Sequence, residues 1–240
     1  MQDGSAPRCD GHAPSAPTRC SACVVRDTGL CAAFSDSEIA PLHAIARQRM
    51  ARAGQILTWA GDPAAICATV VSGVLKIVRD DAAGRSHIAG LLFPGDLVGE
   101  PFEPGARDTI IVLSDAELCV YPREALATLL DDHPAAVRQL LRRAFDTLND
   151  ARRFMLMLAR RDAREKVAGF LLDMAGRTTR AGDDMLMLPM GRSEIGELLG
   201  LTIETVSRQM TALARAGLIG LPGGRAVQLK DRDGLRALAG

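Results

Sequence analysis

Residues 193–208 decide the fold, and they read Ser-Glu-Ile-Gly-Glu-Leu-Leu-Gly-Leu-Thr-Ile-Glu-Thr-Val-Ser-Arg. The stretch predicts two short helices, because Ser193 and Thr202 are residue types that cap helix N-termini just before an apolar pattern begins. Gly200 separates the two helices at a corner where the chain needs a residue that tolerates a positive φ angle. Two short helices joined by a tight glycine corner are typical of a helix-turn-helix motif.

The second helix, predicted over 203–216, has two chemically different faces. Its apolar face consists of Ile203, Val206, Met210 and Leu213. Its polar side, with the preceding cap residue, gives the candidate DNA-binding set Thr202, Glu204, Ser207, Arg208 and Thr211. Arg208 can donate two hydrogen bonds to O6 and N7 of guanine, and Glu204 can accept one from N4 of cytosine. A carboxylate repels phosphate, so its presence favours base selection over nonspecific adhesion, with an ordinary solvated helical hairpin as the alternative.

The segments around this motif predict the rest of a DNA-binding domain. Residues 163–174 predict a further helix, and 217–219 and 226–229 predict a β-hairpin wing with a Pro-Gly-Gly turn. A winged helix-turn-helix is therefore predicted over 161–240, with double-stranded DNA as its partner. From Arg160 onward there are 13 Arg and Lys against 10 Asp and Glu, in a chain whose net charge is zero. This modest basic excess supports DNA binding only weakly.

A long helix is predicted before this domain, from Pro134 to Arg160 within the segment 133–160. Its apolar residues recur in alternating steps of four and three, as in the seam of a coiled coil. The seam residues are Val137, Leu141, Ala144, Leu148, Ala151, Met155 and Leu158. One helix cannot bury so narrow a stripe, which favours a homodimer of two parallel copies. Packing of the stripe against the chain's own N-terminal domain is the alternative.

The N-terminal domain is predicted over 36–132. From Gln55 to Tyr121, short apolar segments alternate with turns rich in Gly, Pro and Asp, which is typical of a β-sandwich or jelly-roll. A helix is predicted before them, from Ser35 to about Ala51. The chain is therefore predicted to be α+β, with an N-terminal β-roll (jelly-roll) domain, a long dimerisation helix and a C-terminal winged helix-turn-helix.

The totals of the chain exclude several classes of protein. Its 240 residues suit two domains, and the 48% hydrophobic content is enough for their cores. No apolar run reaches the roughly 18 residues that a membrane span needs, and residues 1–18 lack the apolar stretch of a signal peptide. We therefore expect a cytoplasmic protein with no membrane partner. No Walker loop, nucleophile elbow or H-E-x-x-H motif occurs, so we expect no enzymatic activity.

Four cysteines form a candidate cofactor site. Residues 1–35 are predicted to be a flexible leader that contains Cys20, Cys23 and Cys31 at C-x2-C-x7-C spacing, and Cys119 is predicted on a late strand of the roll. In a reducing cytoplasm, cysteines are thiols or metal ligands more often than disulfides. Four thiolates can hold a [4Fe–4S] cluster or a tetrahedral zinc ion, and unrelated free thiols are a third interpretation.

Several stretches resemble the CRP/FNR family of transcription regulators. Residues 201–210, Leu-Thr-Ile-Glu-Thr-Val-Ser-Arg-Gln-Met, resemble the recognition helix of that family, and Val71–Leu75 and Pro94–Glu100 resemble a strand and a turn of its sensory β-roll. The resemblance extends from about Cys20 to Leu229. It implies a palindromic operator with TTGAT-like half-sites, and contacts with RNA polymerase. The residues that it implies to read bases are Glu204, Ser207 and Arg208.

The cysteine pattern resembles one branch of this family. An N-terminal cysteine group and one central cysteine, ahead of this recognition helix, are similar to the FNR-type oxygen sensors, and the seven-residue interval is similar to the FnrL/FnrN type. The resemblance implies an oxygen-labile [4Fe–4S] cluster. The implied ligands are Cys20, Cys23, Cys31 and Cys119. We interpret Cys67 as a core residue and Cys9 as a spectator, with a substitute ligand as the alternative for Cys9.

The cyclic-AMP pocket of the family is not matched in this sequence. At the corresponding turn, Gly99-Glu100 is followed by Pro101, which has no backbone N–H to donate. The later position offers Arg107-Asp108, and a carboxylate there would repel the cyclic phosphate. We therefore expect a cluster rather than a cyclic nucleotide. A cyclic-nucleotide sensor, a zinc sensor and a thiol-redox sensor remain the alternatives.

The resemblance also implies how sensing reaches DNA. At low oxygen, the segment Cys20–Cys31 folds around the cluster against the roll, and two chains pair along the helix seam. Two recognition helices then lie about one DNA turn apart, as a palindrome requires. Asp146 and Asp150 are predicted to flank the seam and to weaken the dimer by like-charge repulsion. Loss of the cluster in oxygen then returns the protein to monomers.

Overall fold

The computed structural model describes residues 18–160, 162–179 and 182–240. The predictions for residues 1–17, including the one for Cys9, lie outside these described residues. The described part is α+β, as predicted, with a β-roll, a long helix and a helix-turn-helix following one another along the chain. The division of the chain at residues 35, 132 and 160 stays a prediction.

Two antiparallel four-stranded sheets form the β-roll of the described chain. One contains β1 (Arg47–Ala51), β3 (Ile66–Ser72), β6 (Leu97–Val98) and β8 (Ala116–Pro122), in the order β1-β8-β3-β6. The other contains β2 (Ile56–Thr58), β4 (Leu75–Asp80), β5 (Ser86–Leu92) and β7 (Thr109–Val112), in the order β2-β7-β4-β5. Both sheets contribute side chains to one apolar core, in which Val70, Leu75 and Leu118 are buried. Because successive side chains of a strand point to opposite faces, the other faces remain available for sites.

The turn between β3 and β4 sends the chain from one sheet to the other. Gly73 adopts a φ of +85°, and a Cβ atom there would lie 2.6 Å from the backbone oxygen of Asp115. A side chain would therefore be strained and would also clash. The strand-turn stretch Val71–Leu75 therefore needs a glycine at position 73.

The segment 35–51 is not one helix, and that prediction is wrong. A short helix α2 (Ala40–Ile45) ends where Ala46 becomes extended, and strand β1 follows at once. Strand β1 pairs with β8 from Arg47 opposite Val120 to Ala51 opposite Ala116. The apolar spacing is helical only as far as Ala46. Beyond it, the ladder of hydrogen bonds to a distant strand overrides the local pattern.

Two helices lead from the roll toward the C-terminal domain. Helix α3 (Arg123–Asp132), which the sequence analysis does not predict, buries Leu126 and Leu130 beside the roll. Helix α4 (Pro134–Ala159) agrees with the predicted long helix to within one residue at its end. Pro134 lies in its first turn, where the missing N–H costs nothing.

The C-terminal domain combines four helices with a small antiparallel sheet in its described residues. The helices are α5 (Ala163–Thr178), α6 (Arg192–Leu199), α7 (Ile203–Arg215) and α8 (Arg232–Ala239). The strands are β9 (Met185–Met187), β10 (Ile219–Gly223) and β11 (Ala226–Leu229), in the order β10-β11-β9. Strands β10 and β11 form the hairpin expected for a wing, whereas β9 and α8 are not predicted by the sequence analysis.

The C-terminal core continues into the β-roll. Val74, Phe93 and Leu113 of the roll belong to the same apolar cluster as Phe170 of α5. An ion pair of 2.8 Å between Lys76 Nζ on β4 and Glu194 Oε1 on α6 joins the same two parts of the chain. No helix of the described chain combines the length and the apolar character that crossing a membrane requires.

Candidate nucleic-acid interface and cysteine site

The helix-turn-helix corner is tighter than the sequence indicates. Gly200 ends α6 with a φ of +64°, as predicted for the corner. Gly196, one turn earlier, comes so close to the next segment that a Cβ atom would lie 2.7 Å from the Leu201 oxygen. The sequence analysis assigns no role to Gly196, although a glycine within a short helix is itself a signal of close packing.

One of the two predicted helix caps is wrong and the other is confirmed. Helix α6 begins after Gly191, whose N–H donates to Glu194 Oε2 at 3.2 Å, and Ser193 lies inside the first turn. Thr202 caps α7, because its hydroxyl oxygen accepts a 3.2 Å hydrogen bond from the Thr205 N–H. No side chain of the described residues caps α6, and the carboxylate of Glu194 satisfies the N–H of the cap residue instead.

Helix α7 buries one face and leaves the candidate DNA-binding side chains accessible. Val206, Met210 and Leu213 are buried beneath it, but Ile203 is 46% exposed and does not belong to that face. Ile203 is the first residue of α7, and its side chain is not buried in the core. The candidate side chains are all exposed except Ser207, which is half-buried: Thr202, Glu204, Ser207, Arg208 and Thr211.

The polar side of α7 carries both signs of charge. Hydrogen bonds from its own backbone N–H and from Thr202 lower the pKa of Glu204, so this side chain is a carboxylate at neutral pH. The Arg208 guanidinium is held loosely, at 3.4 Å from the Thr205 hydroxyl. Arg215 lines the same shallow depression as Arg208, and the sequence analysis does not single it out. Its seven-residue separation from Arg208, two helical turns, is the signal that would have identified it.

The leader segment carries three of the four predicted cysteine ligands to one side of the roll. Cys20 lies in the single turn α1 (Thr18–Ser21), and Cys31 lies in a short 3-10 helix, Leu30–Ala33. Cys20, Cys31 and Cys119 of β8 pack against one apolar cluster, and Cys23, like them, is half-buried.

The thiol of Cys31 lies within electrostatic reach of the other three predicted ligands. The pKa of Cys31 is raised to about 11, first by burial and then by the neighbouring thiols of Cys119, Cys20 and Cys23. Among the described residues, no group of three or more His, Cys, Asp or Glu side chains has the geometry that a metal ion would need. The structure therefore brings the four predicted residues together as neighbouring thiols but not as a formed metal site.

The donor set and one orphaned donor suit an anionic iron–sulfur group. Four thiols are the ligands that such clusters use. The Arg26 side chain, between Cys23 and Cys31, donates to the backbone oxygens of Cys31 and Phe34. Its Nε is buried and has no hydrogen-bond partner in the described part of the chain. A cation with an unused donor inside the cysteine loop fits a negatively charged occupant.

A tyrosine that the sequence analysis does not single out supports the fourth cysteine. Tyr121 is fully buried on β8, and its hydroxyl lies 3.4 Å from the Thr69 hydroxyl. It also hydrogen-bonds the Cys119 thiol, and its pKa is raised, first by burial and then by the thiols of Cys31 and Cys119. The other described cysteine, Cys67, is 1% exposed in the core, where the sequence analysis places it.

The long helix α4 presents an apolar stripe that the described chain does not cover. Six of the seven predicted seam residues are exposed, namely Val137, Leu141, Ala144, Leu148, Ala151 and Met155. Leu158 differs, because it is half-buried against the C-terminal core. Phe145 and Leu156 are exposed by 57% and 71% and extend the stripe, although the sequence analysis does not include them.

Asp150 is paired within its own chain, and its predicted repulsion between two copies at the seam stays a prediction. Its carboxylate pairs with Arg177 of α5 at 2.8 Å and with Arg153 of its own helix. Burial would raise the pKa of Asp150, but hydrogen bonds from Arg177 and Arg153 outweigh that effect and lower it. The charge is used to join α4 to the C-terminal domain, whereas Asp146 is exposed.

The turn that corresponds to a cyclic-nucleotide pocket satisfies its own charges. Arg107 pairs with Glu100 at 3.3 Å and with Glu103 at 3.2 Å. Asp108 pairs with Arg79. The arginine that would have to bind a phosphate already has two carboxylate partners.

Comparisons with known proteins place the chain in a family. A model of the cyclic nucleotide-binding domain matches residues 48–133, and a model of the Crp-like helix-turn-helix domain matches residues 165–238. The transcriptional activator protein FnrL of Cereibacter sphaeroides is 35% identical over 91% of this chain and 90% of its own length. The chain belongs to the CRP/FNR family of transcription regulators. It is accordingly a DNA-binding regulator and not an enzyme, as the sequence analysis expects.

Two further relatives agree with this assignment. This CRP/FNR regulator is 34% identical to the transcriptional activator protein anr of Pseudomonas aeruginosa, over 82% of both chains. The solved structure of FixK2 from Bradyrhizobium japonicum superimposes with a TM-score of 0.74 at 32% identity, and the match covers 82% of this chain and 98% of that one. The family, the fold and the helix-turn-helix are thus shown, and what the regulator senses is a separate question.

Proposed function

We propose that this CRP/FNR regulator is an oxygen-responsive activator that carries a [4Fe–4S] cluster on Cys20, Cys23, Cys31 and Cys119. The observation that supports the proposal is the packing of Cys20, Cys31 and Cys119 against one apolar cluster, with Cys23 of the same leader segment also half-buried. The buried Nε of Arg26 supports the proposal, because this N–H donor has no hydrogen-bond partner among the described residues and an anionic group would supply an acceptor. When bound, the cluster supplies a redox centre that oxygen degrades.

The side chains of the leader perform the mechanical part of sensing. The leader would be joined to β8 by a bound cluster, with Cys20, Cys23 and Cys31 as ligands from the leader and Cys119 as the ligand from β8. Arg26 holds the loop by donating to the Cys31 and Phe34 oxygens. Loss of the cluster in oxygen would remove the link through Cys119 and leave the loop held by the Arg26 hydrogen bonds and its own packing.

The apolar stripe of α4 is the proposed dimer interface. Exposed residues as large as Leu141, Phe145 and Met155 in one line are costly for a single chain in water. Two parallel copies of α4 would bury them against each other, as in a coiled coil. The pairing would be marginal, so that a few kcal/mol from the cysteine site would shift it.

The DNA-reading part of the proposal concerns α7. In a dimer, two copies of α7 would lie about one helical turn of DNA apart, as a palindrome with TTGAT-like half-sites requires. Arg208 would read guanine, Glu204 would read cytosine, and Ser207 would contact a base or a phosphate. Thr202 and Thr211 would flank them. The same proposal includes contacts with RNA polymerase and action in the cytoplasm. It also includes the division of the chain at residues 35, 132 and 160.

Purification without oxygen tests the proposed cofactor. The expected product is brown, with iron and sulfide in equal amounts, and it forms a dimer that binds the palindrome. In Cys119→Ala, both the iron and the dimeric DNA binding should be lost, whereas Cys67→Ala on the neighbouring strand should retain both. The proposal would be overturned by a colourless protein that contains zinc or responds to thiol oxidants, or by cyclic-AMP binding in calorimetry.

A further inference from the structure

The segment between Cys23 and Cys31 packs directly on a turn of the β-roll, residues 94–96. Gly29 is buried there, and a Cβ atom on it would lie 3.2 Å from Thr69 Cγ2 and 3.7 Å from the Gly95 oxygen. A Cβ atom on Gly95 would in turn lie 3.1 Å from the Thr28 hydroxyl. A methyl group on either glycine would have to displace its neighbours by a few tenths of an ångström, so the cysteine segment and the turn are in tight contact. A movement of the segment would therefore be transmitted to the turn.

Helix α4 reaches the same turn through one arginine. The same Cβ position on Gly95 would lie 3.2 Å from Arg143 Nη2, so the cysteine segment, the turn and α4 meet at one glycine. Arg143 Nη2 donates to Asp96 Oδ1 at 2.7 Å, and both side chains are half-buried. The Nε of Arg143 is buried and has no partner within the described chain. Asp96 is therefore the contact that sets the position of this guanidinium.

Asp96 is itself fixed to the roll. Its second carboxylate oxygen accepts a 2.8 Å hydrogen bond from the Phe93 N–H, and its backbone oxygen accepts one of 3.0 Å from the Val70 N–H. The N–H of Gly95 donates to the Val70 oxygen at 2.8 Å. The turn is thus a rigid part of the roll, and Arg143 connects α4 to it by a charge-assisted bond, which is stronger than a neutral one.

Arg143 lies on a different side of α4 from the exposed apolar stripe. Leu141, Phe145 and Leu148 of the stripe are exposed, whereas Arg143 is half-buried toward the roll. A residue in this position sets how α4 lies against the roll without touching the surface that would pair with a second chain. Because Arg143 contacts the roll and lies away from the stripe, it is suited to couple the roll to pairing along α4.

We propose that Arg143, through Asp96, is the positioning residue that couples the cysteine segment to dimerisation along α4. This inference rests on the proposed function, in which the cysteine segment is packed when the cluster is bound. The packed segment holds Gly95 and Asp96 in place, Asp96 holds Arg143, and Arg143 fixes α4 in the orientation that pairs. A loosened segment removes the first of these constraints.

The test compares Arg143→Gln with Arg142→Gln, which removes the same charge from an exposed neighbour without a partner in the described residues. Iron and sulfide are counted in oxygen-free protein, and the dimer dissociation constant is measured by sedimentation with the cluster bound and after its removal. In the wild type and in Arg142→Gln, the cluster should tighten the dimer. In Arg143→Gln, the iron content should be unchanged, and the tightening should fall by about fivefold or more.

Two further variants separate positioning from simple loss of structure. Asp96→Asn keeps an acceptor for the Phe93 N–H but removes the charge, and it should reproduce Arg143→Gln, with no further loss in the double variant. Arg143→Lys keeps the charge and should restore part of the tightening. The inference is overturned if Arg143→Gln retains the wild-type tightening or loses its iron. A wild type whose dimer is indifferent to the cluster would overturn the proposed function as well.

Discussion

Replacement of Gly196 by alanine tests the packing of the helix-turn-helix corner quantitatively. The new Cβ atom would lie 2.7 Å from the Leu201 oxygen and 3.4 Å from the Thr202 carbonyl carbon. Relief of such a backbone clash requires the corner to open, and overpacking of this kind costs about 1–3 kcal/mol. Alanine in a helix interior otherwise gains about 0.5–1 kcal/mol over glycine. The expected net loss of unfolding free energy is about 0–2.5 kcal/mol.

Gly176→Ala is the matched control for this substitution. Gly176 is an exposed residue of α5, and a Cβ atom there would meet nothing within 4 Å. This variant should therefore gain about 0.5–1 kcal/mol in unfolding free energy. Urea unfolding of cluster-free protein, followed by circular dichroism, measures both. If Gly196→Ala is as stable as Gly176→Ala, the reasoning about the corner is refuted.

Three other predictions concern charge and the α4 stripe. Arg208→Ala should weaken binding to the palindrome by about 1–3 kcal/mol and relax the selection of one guanine. Arg215→Ala should weaken binding to all DNA sequences alike and reduce the slope of affinity against salt concentration by about one ion. Fluorescence anisotropy measures both effects. Phe145→Asp should shift sedimentation of the oxygen-free protein toward monomer, and an unchanged dimer would contradict the stripe. The pKa of Glu194 is lowered by Lys76 despite burial, so the stabilisation present above its ordinary value of 4.5 should be lost on acidification below it. Glu194→Gln should flatten that part of the stability profile, and an unchanged profile would contradict the ion pair's contribution.

Local patterns in the sequence predict the elements that local chemistry determines. Helix α4 follows from its apolar spacing, and the corner follows from Gly200 and the Thr202 cap. Sequence order does not show which distant segments pair, so β1 is mistaken for the end of a helix before its ladder with β8 is seen. The start of α6 is missed for a related reason: the helix begins before Ser193, after Gly191, and the Gly191 N–H donates to the carboxylate of Glu194.

The candidate sites divide in the same way. The cysteines and the polar side of α7 are visible as residue types at a set spacing, whereas their surroundings are not. Tyr121 and Arg26 become evident only when β8 and the leader are brought together. The ion pair of Asp150 with Arg177 joins residues that are far apart in sequence, so this partner of a charge beside the seam is not visible in the sequence.

The most direct test of the sensing proposal is one oxygen-free preparation, analysed for iron and sulfide and sedimented before and after exposure to air. The account predicts four iron and four sulfide per chain and a dimer that dissociates as the cluster is lost. A metal-free protein that remains a dimer on its palindrome in air would contradict it.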